Sequence, residues 1–240
     1  MKVQLIANTI IDDDALAEVG YDTRFMLEEG EFEGDADELA EFAGRNCYQS
    51  FDRPNPATRE NVDYLDHILD VGHESVLEHS SATFYIEASR SVLTELERHR
   101  HLSFSVVSQR YVDSTELGIE VPPAFTELSG KDADDAKGVL LDVQSFTQEA
   151  YEYLVHIFTE AGKPRKQARE AARAVLPNMT SSPMVVTANH RAWRYVIKNR
   201  WHEAADAEIR ELAGELLRQL REIAPNTYQD IPTTPYSYGG

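Results

Sequence analysis

The chain has 240 residues and a formal net charge of −19, with 42% apolar and 27% charged side chains. That apolar share is enough for a packed core and excludes wholesale disorder, and no run approaches the roughly 18 apolar residues of a membrane-crossing helix. So negative a charge argues against a general nucleic-acid binder, because a polyanion is repelled at long range.

Val3 to Ile6 reads as a strand, and Asp12-Asp13-Asp14 follows before any signal-peptide core could form. The single cysteine, Cys47, excludes an internal disulfide framework and a cysteine-rich zinc site, so a reducing cytoplasmic setting is expected. The polar stretch 20–37 reads as a surface loop. Helical periodicity covers 36–48 and 58–71, with Pro54 and Pro56 breaking the chain between them. Residues 80–88 alternate, Ala82, Phe84 and Ile86 against Ser81, Thr83, Tyr85 and Glu87, which predicts a half-buried strand. A helix follows from about Ser91, and 104–112 is extended or looped. Further helices are predicted over 132–161, 165–175, 189–199 and 203–223, with a short strand at Val185-Val186-Thr187. No internal repeat and no linker divides residues 1–240, so the expectation is one helix-rich α+β domain with a small, mostly antiparallel sheet.

Charge is unevenly spread. Residues 163–200 hold nine basic side chains against one acidic one, and 90–110 hold four against two, in a chain that is otherwise strongly acidic. Clustered arginines in such a chain are either local anion receptors or partners of the protein's own carboxylates, and the charge pattern alone leaves both open.

No G-x-G-x-x-G, P-loop or H-E-x-x-H is present. The histidines at 73, 79, 99 and 101 are irregularly spaced and joined by no cysteine, so no metal site is expected. The informative segment runs from Arg98 to Arg110. Arginine suits bidentate phosphate recognition, and hydroxyls with backbone N–H groups complete such a cradle; a solvated helix end with cations at its negative pole is the alternative. Arg165, Arg169 and Arg173 form a stripe that would ordinarily be solvated. Cys47 is expected to be a packed thiol, and Trp193 and Trp201 packing or interface residues.

Arg98-His99-Arg100, seven residues and then Ser108 match the R-H-R-x7-S motif of the flavin-dependent thymidylate synthases, the ThyX family, with Gln109-Arg110 following. Four flanking blocks agree in order: 41–48, 72–79, 167–177 and 189–194. The chain therefore resembles that family over residues 36 to 232. The resemblance implies a homotetramer that binds FAD without a Rossmann fold and makes dTMP from dUMP. Methylenetetrahydrofolate would give the carbon unit, and NADPH the reducing equivalents, passed as hydride from the flavin to the uracil ring.

Carried over by position, Ser75, Arg98, His99, Arg100, Val106, Asn189, His190, Arg191 and Tyr195 resemble flavin-site residues. Glu95, Arg98, Val106, Ser108, Gln109, Arg110, Arg173 and Arg200 resemble the dUMP site, and Arg200 matches the arginine held to activate the uracil ring. The chain departs from the pattern at Val106, where relatives often have Glu or Gln, at Glu95, where some have Gln, and at Tyr195, where they have His or Asn. An acid at 95 near a phosphate would need a proton or an intervening donor. The expected partners are the nucleotide and folate substrates and further copies of the chain, with no nucleic acid and no membrane. Groups scattered from 75 to 200 predict an active site shared between subunits.

Overall fold

The computed structural model describes residues 1–21, 34–51 and 55–237. Within these, β1 (Lys2–Asn8), β2 (Ser81–Ser89), β3 (Ser103–Val106) and β4 (Ser181–Asn189) form an antiparallel sheet in the order β1-β2-β4-β3. The helices are α1 (Asp13–Glu18), α2 (Asp35–Tyr48), α3 (Asn61–Asp70), α4 (Arg90–Leu96), α5 (Gly130–Glu160), α6 (Arg165–Ala172), α7 (His190–Arg200) and α8 (Ala207–Ile223). The α+β expectation holds.

The period-2 pattern of the central strands decides which face is covered. Ala82, Phe84, Ile86 and Ala88 of β2 and Ser182, Met184, Val186 and Ala188 of β4 are buried, while the alternate residues are not, apart from Ser89 and Ser181 at the paired strand ends. Small residues at the strand ends and large ones in the middle let α4, α7 and α8 close over the buried face. Phe84 meets Trp193 of α7 edge-on at 5.2 Å, and the indole Nε1 donates to the Ala82 carbonyl at 3.0 Å. In α8, Ile209, Leu212, Leu216 and Leu220 point inward. Gln219 beside them binds the β1 backbone, accepting from Leu5 N at 2.7 Å and donating to Val3 O at 3.0 Å. A second apolar cluster joins α2, α3 and the turn Glu74–Glu78 through Ala40, Tyr64, Leu65, Ile68, Val76 and Leu77.

Helix α5 differs from the rest. Its 31 residues span roughly 46 Å at 1.5 Å each, yet only Tyr151 is buried. Val139, Leu141, Phe146, Tyr153 and Ile157 stand exposed along it.

Several expectations need adjusting. The strand expected only at 185–187 is nine residues long, disguised by Ser181, Ser182 and Pro183. Pro183 has no N–H to give a ladder, and it lies where the pairing of β4 with β3 ends. Helices predicted to start at 58 and 203 start at Asn61 and Ala207, since Pro56–Thr58 is a separate 3₁₀ turn and Asp206 caps α8. Residues 173–175 continue α6 as a 3₁₀ turn. Helix α1 had no counterpart in the sequence reading. The loop expected at 20–37 falls largely outside the described residues. Cys47 is exposed rather than packed, its thiol directed to the Ala43 carbonyl at 3.4 Å.

Candidate active site

Strand β4 delivers the second positive island. Asn189, its last residue, accepts from Ala192 N at 2.8 Å and so caps α7. The helix then carries Arg191, Tyr195 and Arg200 along its length. From the other central strand, Ser89 caps α4 through Val92 N at 3.2 Å. At the far end of α4, Arg98 N and His99 N bond back to the carbonyls of Glu95 and Leu96, which tightens the last turn and turns Arg98, His99 and Arg100 to different directions.

The two helix C-termini meet at Arg200. Its Nη1 donates to Glu95 Oε2 at 2.9 Å, Nη2 to the Glu95 carbonyl at 3.2 Å, and Nε to His99 Nε2 at 3.0 Å. A guanidinium has five N–H donors. Three are spent on orientation, and two remain for a ligand. The Glu95 carboxylate thus answers an arginine of its own chain.

His99 must be neutral to accept from Arg200. Burial lowers its pKa to about 4, with Arg200 and Arg98 adding to the shift. The proton is therefore assigned to Nδ1, which is buried and has no hydrogen-bond partner among the described residues. The ring packs edge-on to Tyr195, centroids 5.7 Å apart.

A cavity of about 340 Å³ is lined by Arg98, His99, Tyr195, Asn199 and Arg200. A second, of about 750 Å³, shares Arg98 and Tyr195 with it and adds Glu74, Glu78, Arg100, Asn189 and Arg191 among others. Together they make one cleft along α7. Arg98 and Arg100 are exposed, and among the described residues neither has an ion-pair partner. Arg191 lies against Glu78 at 2.5 Å in an exposed pair. Ser75 is exposed on the turn between Glu74 and Glu78.

His190 has no such position. It is fully buried, Nδ1 lies 2.9 Å from Tyr228 Oη, and burial lowers its pKa to about 4. Val106 is half-buried, pairs with Met184 and packs on the core, and it lines neither cavity. Sequence reasoning overlooked Glu74, Glu78, His101 and Asn199 as lining residues. The first two stand in the 72–79 block, from which only Ser75 was taken, and Asn199 adjoins Arg200.

The remaining candidates form a separate group. Pairing of β3 with β4 runs from Ser103↔Thr187 to Val106↔Met184, and Val107 N donates to Pro183 O. Ser108, Gln109 and Arg110 thus lie beyond Pro183, six residues or about 20 Å along β4 from Asn189. There Arg110 approaches Glu170 of α6 at 3.3 Å. Arg169 is buried and tied to Asp113 at 2.7 Å and the Tyr111 carbonyl at 2.5 Å, so it is structural. Arg173 is exposed, with no ion pair among the described residues. The α7 cleft takes in none of Ser108, Gln109, Arg110 and Arg173.

Comparison with known proteins bears on this arrangement. The family described as Thymidylate synthase complementing protein matches residues 31–226. A probable flavin-dependent thymidylate synthase of Mycobacterium phage D29 is 84% identical over the full length of both chains. One of Mycobacterium phage L5 is 70% identical over 99% of this chain and all of its own. The flavin-dependent thymidylate synthase of Mycobacterium tuberculosis H37Rv is 46% identical over all of this chain and 93% of its own. With its family match covering most of its length, the chain belongs to the thymidylate synthase complementing protein family.

Proposed function

We propose that the chain is a flavin-dependent thymidylate synthase: a methyltransferase that converts dUMP to dTMP, with FAD in the α7 cleft, methylenetetrahydrofolate as carbon donor and NADPH as reductant. The observation that carries this reading is Arg200, fixed by Glu95 and His99 with two N–H groups to spare, at the base of a cleft whose unpaired cations await anions. The cleft suits a flavin nucleotide. Arg98, Arg100 and Arg191 can take its phosphates, Asn189, Ser75 and Tyr195 can line its remainder, and the orphaned His99 Nδ1–H is a donor in search of an acceptor. Bound there, the flavin supplies the reducing equivalents.

The chain's own part is electrostatic. A guanidinium already oriented needs no rearrangement to stabilise negative charge developing on the uracil ring, and it stays protonated throughout. Arg200 is accordingly the catalytic residue. His99 is a poor base, its Nε2 lone pair committed and its pKa low. Ser108 is a poor nucleophile, since its hydroxyl has no hydrogen-bonded base among the described residues.

Ser108, Gln109, Arg110 and Arg173 would hold dUMP, Arg110 at its phosphate, with Arg98, Arg200 and the Glu95 that orients Arg200 completing the nucleotide site at the base. Their distance from the α7 cleft within one chain supports a site built from two subunits. Exposed Val139, Phe146, Tyr153 and Ile157, spaced to share one side of α5, support a homotetramer, because exposed apolar residues grouped in this way mark a protein interface.

The purified protein should be yellow, and its reduced flavin should be reoxidised when dUMP and methylenetetrahydrofolate are added together, with dTMP as product. A protein that binds no flavin, or a reduced flavin indifferent to both substrates, would refute the reading.

A further inference from the structure

Arg194 is a cation held inside the fold. It lies on α7, directed away from the cleft, and is fully buried. Its Nη1 and Nη2 form a fork on Asp230 at 2.7 and 2.8 Å, Nη1 also binds the Thr227 carbonyl, and Nη2 lies 3.6 Å from Glu74 Oε1. Its Nε has no partner among the described residues. One helical turn on, Lys198 reaches the same two carboxylates, at 3.3 Å from Glu74 and 3.8 Å from Asp230. Two cations at i and i+4 therefore clamp two acids that are far apart in sequence.

Stability alone does not account for this. A buried ion pair is often replaceable by packed apolar residues without loss, whereas it can fix one geometry against others. The geometry fixed here is that of the turn Glu74–Glu78. Val76 and Leu77 fasten the turn to the second apolar cluster, but Glu74, Ser75 and Glu78 reach the surface, and Glu74 and Glu78 line the larger cavity. The other end of the clamp is itself anchored. Thr227 donates to Asp37, fully buried at the start of α2, through N at 2.9 Å and Oγ1 at 2.5 Å, and Asn226 N donates to the same carboxylate at 2.8 Å. A continuous polar path thus runs from α2 through the C-terminal segment and Arg194 to the rim of the cleft.

We propose that Arg194, bridging Asp230 and Glu74, is a positioning residue that sets the cofactor-facing wall of the cleft. The identity of the cofactor rests on the flavin reading above; the clamp itself does not.

Asp230→Asn is the decisive variant, because Asp230 lines a separate cleft with Thr58, Asp63 and His67 and neither cavity along α7. In the full-length protein, hydrogen exchange of amides 74–78 should quicken at least tenfold relative to those of β2 and β4. FAD affinity, measured well below the melting temperature, should fall about tenfold, with Asp230→Glu recovering part of it. A purely structural Arg194 would lower the melting temperature while leaving FAD affinity and relative exchange at 74–78 unchanged, and that result overturns the proposal. Should Asp230→Asn fail to fold, Glu74→Gln at the partly exposed end is read the same way. To separate positioning from direct contact, Glu74→Gln is repeated on Lys198→Met: losses in FAD affinity that simply add refute action through the clamp, and losses that do not add support it. A wild-type protein that binds no FAD defeats the flavin reading, and exchange at 74–78 then decides the clamp alone.

Discussion

The two central strands each run into a helix through a capping side chain, and the two units are close counterparts. β2 and β4 pair from Ser81↔Asn189 to Ser89↔Ser181, so each helix starts where the opposite strand begins or ends. Their helix starts have opposite fates. At α4, the Glu208 carboxylate accepts from Ser89 N at 2.9 Å and Ser89 Oγ at 2.7 Å, placing an internal anion under α8. At α7, the start opens on the cavity with Asn189 and Arg191 at its edge. A helix N-terminus favours negative charge. One unit supplies that charge from within and is sealed; the other leaves room for it to come from outside. Local sequence makes the unit, and whether a carboxylate from elsewhere fills it decides between scaffold and site.

The largest expected effect tests where the units converge. Arg200→Ala should lower dTMP formation roughly 10²–10³-fold with flavin still bound, and Lys should rescue poorly, because a point charge cannot reproduce the planar fork. An active Arg200→Ala enzyme would remove the reason for joining the two helix ends.

Next comes Arg110, outside both units. Its exposed contact with Glu170 is weak and easily exchanged for a phosphate. Arg110→Ala should loosen dUMP about ten- to a hundredfold, the equivalent of one charge-assisted hydrogen bond of roughly 1.5–3 kcal/mol, and leave FAD content alone. Loss of flavin with dUMP affinity intact would place Arg110 in the wrong half of the site.

The sealed and open helix starts can be compared directly. Glu208→Ala strands two buried donors and should cost about 1–3 kcal/mol of stability without touching FAD affinity. Asn189→Ala should cost about 1 kcal/mol for the lost cap and weaken FAD as well. Denaturant unfolding and flavin titration together separate the two, and equal flavin losses in both would erase the distinction.

A histidine in each unit sharpens the contrast further. His99 and His190 are both held to about 4, against an ordinary 6.5. Between those values the unfolded chain binds more protons than the folded one, so stability drops as pH falls from 6.5 toward 4. Asp37, pushed by burial up to about 6 from 3.8, acts in the opposite sense between those limits, and two imidazoles outweigh one carboxyl. Thermal unfolding should show a lower melting temperature at pH 4.5 than at pH 7. In an NMR titration, FAD should move His99 and leave His190 where it is. Ser108→Ala should have the smallest effect, retaining dTMP formation within a few-fold, and a trapped Ser108–nucleotide adduct would contradict it.

Much of this was legible before any coordinates. Strong 3.6-residue periodicity marked α8, and alternation marked β2, because in both cases a single face meets the core. Charge marked the Arg98–Arg110 segment and the 163–200 island as unusual, but left anion receptors and internal ion pairs equally open, and only the R-H-R-x7-S resemblance chose between them. What escaped was whatever depends on a distant partner. Nothing around Glu95 announces that it will meet Arg200, and nothing around His190 announces Tyr228, since each contact is made by the tertiary fold. The first half of β4 was hidden because serines and a proline form a strand there only with β2 alongside.

The sheet also dictates an order of assembly. Its central ladder joins residues that stand 92 to 108 positions apart, and β1 is held by a glutamine 214 residues away. Loop closure over such spans must precede any gain from the contacts, which slows folding. Because Gln219 lies on α8, β1 gains this partner only once the chain has been made through residue 219. Truncations that remove α8 should therefore leave β1 an unguarded edge prone to aggregation.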